Sequence, residues 1–104
     1  MARFDVYRNP RKESAKQVPF LLDVQSGFLE ALDTRVVVPL RTAASVGQAV
    51  TRLNPVFTID SVAVVMDTPQ IAGYPRQLLK RPVATLAAQN LEIQNALDFL
   101  FAGI

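Results

Sequence analysis

The spacing of apolar residues changes period once along this chain. Up to Leu79 they come in short runs separated by Pro, Gly, Asn and Asp; after Pro82 they recur at helical intervals. Phe4 and Val6, alternating with Asp5 and Tyr7, predict a first strand that Asn9-Pro10 ends. Arg11 to Gln17 is polar and without period, which predicts a mobile loop. Val18 to Val24 (VPFLLDV) is almost continuously apolar, the pattern of a strand buried on both faces. Gln25-Ser26-Gly27 closes it. Phe28, Leu29 and Leu32 follow, with Glu30 and Asp33 between them: either one turn of helix or a loop presenting large apolar side chains.

Arg35 to Leu40 (RVVVPL) is β-branched and predicts a third strand. Pro39 has no N–H for a ladder, so an edge or a bulge is expected there. Thr42 to Val50 (TAASVGQAV) is interrupted by Gly47 and reads as strand or loop. After the Asn54-Pro55 turn, Val56–Ile59 and Val62–Met66 form two strands joined by the two residues Asp60-Ser61, a hairpin signal. Asp67-Thr68-Pro69 closes the second. Ile71 to Leu79 contains Gly73 and Pro75 and reads as an irregular strand.

From Leu86 to Phe101 there is no Gly or Pro and little β-branching. Leu86, Ile93, Leu97 and Leu100, with Ala96 beside them, mark one helix face. Thr85 is placed to cap the helix and Gly103 to stop it. The stretch finishes on Ile104, an apolar side chain beside a carboxylate, which is either docked on the chain's own core or offered to a partner. Five to seven short strands followed by one helix make an α+β fold with a small, strongly bent antiparallel sheet or partly open barrel.

Composition narrows the chemistry. The 104 residues allow a single domain, residues 1–104. The net charge of +2 does not mark a nucleic-acid binder. Lys and Arg are scattered, with one loose cluster at Arg8, Arg11, Lys12 and Lys16, which reads as a solvated loop or an anion site. No apolar run reaches the ~18 residues of a membrane span, and Asp5 sits where a signal peptide needs an apolar core. There is no Cys and no His. Disulfides, thiol nucleophiles and thiolate metal sites are therefore excluded, along with the commonest general base. A cytoplasmic chain without metal or other cofactor is expected. Asp5, Asp23, Asp60 and Asp67 lie at strand ends, where acids cap turns. No pattern pairs them as a general acid and base, and no Gly-rich phosphate cradle occurs.

Four stretches go further: FDVYRN at 4–9, FLLDVQS at 20–26, TRVVVPL at 34–40 and EIQNALDFLFAGI at 92–104. In this order and spacing the chain resembles the CcdB family of toxins, from the CcdA–CcdB addiction modules. The resemblance implies an SH3-like barrel with a C-terminal helix, and a homodimer. It implies binding to the A subunit of DNA gyrase with trapping of the cleaved-DNA complex. It also implies removal by a CcdA-like antitoxin with a disordered C-terminal segment, and co-repression in which DNA is contacted only through the antitoxin. None of this is enzymatic, and none involves a membrane.

Carried over residue by residue, the implied gyrase contacts are Ser26, Phe28, Leu29, Asp98, Ala102, Gly103 and Ile104. Ser26 ends the DVQS element, Phe28 and Leu29 stand where the family has two large apolar residues, and Asp98 stands where some members have Asn. Ala102 departs from the pattern, because the best-known members carry Trp there, stacked on a gyrase Arg. For the antitoxin, the cluster of Arg8, Arg11, Lys12 and Lys16 is the expected acceptor of an acidic segment. Two other readings remain. One is a ribonuclease toxin of the related MazF/Kid type, with Arg11 and Glu13 as candidates; the apolar tip has no job in that mechanism. The other is a CcdB-like protein that has lost toxicity and only binds antitoxin, which Ala102 keeps open.

Overall fold

In the computed structural model, which describes residues 1–104, seven antiparallel strands curl into a nearly closed barrel and one helix packs onto its core. The strands are β1 (Asp5–Arg8), β2 (Phe20–Asp23), β3 (Thr34–Thr42), β4 (Val56–Ile59), β5 (Val62–Met66), β6 (Ala72–Pro75) and β7 (Ala84–Thr85). Their order in the sheet is β4-β5-β3-β2-β1-β7, with β6 also on β3. The small α+β barrel with a single terminal helix is the fold that the apolar pattern and the family resemblance predict.

β3 organises the sheet. One of its sides pairs with β2. The other is shared: β6 opposes Thr34–Val37 and β5 opposes Leu40–Thr42. Pro39 falls between these partners, and its carbonyl accepts from the Asp67 N–H at 2.9 Å. The proline is thus in a central strand rather than at an edge. Its missing donor is harmless because it faces the gap where one neighbour gives way to the next.

β2 is buried along its whole length, as its unbroken apolar run predicts. Phe20, Leu22 and Val24 enter the main core with Val6, Val38, Leu40, Phe57, Ile59, Val64 and Met66. Leu21 points the other way, into a smaller cluster with Tyr7, Val37 and Leu79. The period of two along β1, β2 and β3 sorts side chains between these two cores. The β4–β5 turn uses Asp60 and Ser61 at φ 48 and 67, the left-handed pair that a two-residue hairpin requires.

The helix, α1, runs from Asn90 to Ala102 and begins four residues later than its sequence suggests. Ala87–Gln89 form a separate 3-10 turn, and Thr85 Oγ1 accepts the Ala87 N–H at 3.2 Å. Thr85 therefore caps that turn and not the helix. Leu86 is buried ahead of α1, while Ile93 and Ala96 are the buried residues of the helix proper. Leu97 and Leu100 are half-buried. Gly103 ends α1 at φ 72, with its N–H bonded to the Phe99 carbonyl at 3.0 Å.

Three further stretches resolve or correct the sequence expectations. After β3, Ala43–Ser45 make a 3-10 turn and the rest of 46–50 is irregular, so this is a loop. Of Ile71–Leu79, only Ala72–Pro75 is strand. The Arg11–Gln17 segment is not a featureless loop. The Asn9 amide donates to Ser14 Oγ (3.0 Å) and to the Val18 carbonyl (2.8 Å), and turn hydrogen bonds run from Ser14 to Arg11 and from Gln17 to Ser14. A polar stretch without period can still be tied down when its side chains bond its own backbone.

Tyr7 has a buried hydroxyl that finds no hydrogen-bond partner. Burial, then the charges of Asp5 and Asp23, push its pKa up to about 12, against the opposing pull of Arg35. Between pH 10 and 12 the unfolded chain releases this proton and the folded chain keeps it, so stability falls as pH rises. Urea unfolding across this range should show a steep alkaline loss of stability in the parent chain. Tyr7→Phe should flatten that slope and leave neutral-pH stability within about 1 kcal/mol, since no hydrogen bond is removed.

Candidate protein-binding site

Two surface features come from different parts of the chain, and each is anchored by its own network. The first is the β2–β3 connection. Asp23 and Arg35 form an ion pair with both side chains fully buried. It is bidentate: Nε to Oδ2 at 2.8 Å and Nη2 to Oδ1 at 2.9 Å. Two more of the guanidinium's donors are used as well. Nη2 reaches the Gln25 carbonyl at 3.0 Å and Nη1 the Ser26 carbonyl at 3.4 Å. Asp23 Oδ1 also accepts the Gln25 N–H at 2.9 Å. Asp23 does act at a turn, as its position suggests, but its main partner is a buried cation.

Gln25 extends this network into the turn. Its Oε1 accepts the Val36 N–H at 2.8 Å, and its Nε2 donates to the Leu29 carbonyl at 3.2 Å. Ser26 then starts a 3-10 turn, Gly27–Leu29, with its hydroxyl accepting the Phe28 N–H at 3.2 Å. The open choice for Phe28 and Leu29 resolves to one short helical turn that faces outward. Phe28 is 99% exposed and Leu29 47%. A phenyl ring held fully in water on a turn tied from beneath packs against nothing in the chain itself.

The second feature is the tip of α1. Asp98, Ala102, Gly103 and Ile104 are all exposed, with Ile104 at 73%. The tip is therefore not a plug for the barrel. Phe101, at 72%, stands out beside it. The Arg52 guanidinium donates to an oxygen of Ile104 and lies 4.9 Å from the Phe99 ring centroid. A single arginine from the loop before β4 thus orients the tip by a hydrogen bond and by stacking. No hydrogen bond, ion pair or core cluster joins the Ser26–Leu29 turn to the α1 tip within the chain.

The four predicted basic residues do not act as a uniform cluster. Arg8 lies 3.7 Å from Asp60 across the surface, and Arg11 stacks at 5.6 Å on Tyr74 and donates to its hydroxyl at 3.3 Å. That contact with the phenol raises the Arg11 pKa further. Lys12 and Lys16 are exposed and make no ion pair. Sequence reasoning passed over Gln25 and Arg35 as supports and Arg52 as the partner of the tip. The signal for Arg35 was present: a lone cation opening the apolar strand VVVPL, twelve residues after an acid in another apolar strand. Arg52 carried no signal, because only folding brings it to Ile104.

A small bent barrel with one terminal helix, an exposed apolar turn and an exposed helix tip is a small α+β fold of the SH3-like kind. A family model described as CcdB protein matches residues 3–103, and the chain belongs to that family. The family is one of toxins from toxin–antitoxin modules that poison DNA gyrase, with gyrase and an antitoxin as partners at that level.

Breaking the buried pair leaves a charge stranded. Arg35→Ala should therefore cost about 3–5 kcal/mol in urea unfolding. Gln25→Ala removes one side chain that bridges turn and strand, and should cost about 1–3 kcal/mol. In the Gln25 variant, the added amide hydrogen exchange should be concentrated at Phe28, Leu29 and Val36.

Proposed function

We propose that this chain is a gyrase poison that binds the A subunit of DNA gyrase as a homodimer and stabilises the cleaved-DNA complex. The carrying observation is the Phe28 side chain, held fully exposed on a turn that is tied to a buried ion pair beneath it. Leu29 and Ser26 flank it on the same turn. Asp98, Ala102, Gly103 and Ile104 supply the second half of the surface; with two copies present, a turn from one and a tip from the other are available to a single partner. The exposed Phe101 ring contributes apolar area near the position where other members carry Trp. The chain is not an enzyme in this reading: binding alone traps the intermediate. Removal by a CcdA-like antitoxin runs through an acidic segment on the basic side of the molecule, where Arg8, Arg11, Lys12 and Lys16 are exposed. The complex then acts as co-repressor with the antitoxin holding the DNA, in the cytoplasm. No helix is long and apolar enough to cross a membrane.

Ala102 favours a second reading in which the chain binds antitoxin but gyrase only weakly. One experiment separates them: incubation with gyrase and supercoiled DNA, followed by detergent and protease, to read trapped double-strand breaks. The first reading requires breaks that rise with the chain's concentration; a folded chain that binds antitoxin and traps none supports the second. Light scattering at micromolar concentration should give about twice the 11.4 kDa chain mass.

Deleting Gly103 and Ile104 should abolish trapping while lowering the thermal midpoint only slightly, because both residues are exposed and the loss is confined to the α1 cap and the Arg52 contact. Retained trapping by the folded deletion variant would remove the tip from the surface. Ala102→Trp should strengthen gyrase binding by roughly 0.5–2 kcal/mol through ring stacking. Charge reversal of Lys12 and Lys16 should weaken antitoxin binding and leave gyrase affinity as it was.

A further inference from the structure

On the basic side of the barrel, the fold assembles a groove that no linear cluster announces. Arg8, Asn9 and Pro10 leave β1 on one side of it, and Lys80, Arg81 and Val83, from the β6–β7 connection, form the other. It encloses about 550 Å³. Three cations line it. Arg8 has one acid nearby, Asp60 at 3.7 Å, while Lys80 and Arg81 are exposed and make no ion pair. Arg11, on Tyr74, adds a fourth positive charge next to Pro10.

The backbone at the groove is also open. β7 pairs with β1 only at Asp5 and Val6, and the Val83 N–H donates to the Val6 carbonyl at 2.7 Å. Beyond that the connection diverges. Asn9 donates toward β2, to the Pro19 carbonyl at 3.0 Å, so the alternation of the strand turns Arg8 toward the side that β7 has left. No backbone bond joins Arg8 to residues 81–83.

We propose that this groove receives an extended acidic peptide segment, which continues the ladder at Arg8 and sets its carboxylates against Lys80 and Arg81. Two observations converge on that occupant. The Arg8 backbone N–H and C=O, left unpaired where β7 diverges, can receive one pair of main-chain hydrogen bonds from an extended chain. Cations at the rim, over Pro10, Val83 and aliphatic side-chain stems, suit a segment that alternates acidic and apolar residues. A nucleic-acid duplex fits less well, since it rewards long rows of cations along a face, and the whole chain carries only +2. The inference rests on the acidic-partner reading above and moves its centre from Lys12 and Lys16 to Lys80 and Arg81.

The test uses the full chain and fluorescence anisotropy at low salt. The probes are a labelled decapeptide alternating Glu with Leu, the same peptide with Gln replacing Glu, and a short labelled DNA duplex. The Glu peptide should bind, and the Gln peptide should bind about tenfold more weakly or worse. Lys80→Glu with Arg81→Glu should weaken the Glu peptide by about tenfold or more, and the milder Lys80→Gln with Arg81→Gln by less. Thermal midpoints should stay unchanged in both variants, because these side chains are exposed. Any of the following overturns the proposal: no binding of the Glu peptide, equal affinity for the Glu and Gln peptides, or an affinity that neither double variant alters. DNA bound more tightly than the peptide and lost on the same reversals would overturn it in favour of nucleic acid. If groove reversal has no effect while Lys12 and Lys16 reversal weakens the antitoxin, the groove fails and the acidic-partner reading stands.

Discussion

The buried ion pair between Asp23 and Arg35 is the interaction on which the most distinctive part of this molecule depends. Two charges removed from water are costly, and they are tolerated only when geometry and additional hydrogen bonds meet nearly every donor and acceptor. Here the bidentate contact is completed by the Gln25 and Ser26 carbonyls and by the Gln25 N–H. Those extra partners all belong to the residues that enter the Ser26–Leu29 turn. The requirement to satisfy a buried charge is therefore also what holds the turn in place, and an apolar side chain can be kept in water at its crest without collapsing onto the sheet.

The helix tip is built on a different principle. It has no buried charge beneath it and takes its orientation from Gly103 in the left-handed region and from Arg52 across an exposed contact. The turn is rigid from below, and the tip is steered from the side. The placement of β3 matters to both. Its Thr34 end carries the anchored turn, and its Thr42 end leads into the loop that supplies Arg52.

Much of the fold was legible because burial leaves a mark on residue order. The almost continuously apolar run at Val18–Val24 announced a strand with two covered faces, and the structure has a separate core on each. Asp60-Ser61 announced a two-residue hairpin, and Gly103 announced the end of the helix. The misreadings have physical causes. Leu86 has the right spacing for the helix, yet its burial comes from the turn before α1, since apolar spacing cannot tell which backbone delivers a side chain to the core. Pro39 pointed to an edge because the sequence does not show that two strands share one side of β3. The stretch Arg11–Gln17 has no apolar period, and its order comes from Asn9 and Ser14 bonding to neighbouring backbone.

The candidate surfaces divide along the same line. By itself, the sequence determined the class of fold and the family, and it named the apolar residues of the turn and tip as candidates, because those follow from local pattern and from motifs in register; their exposure was decided by the tertiary structure. Only the tertiary structure decided which groups support them. Arg35 reaches Asp23, Arg52 reaches Ile104, and Lys80 and Arg81 line one groove with Arg8, each across a long separation in the chain. Such pairings are set by strand order and register, and a side chain that will meet its partner only after the sheet has closed leaves no periodic trace in the sequence.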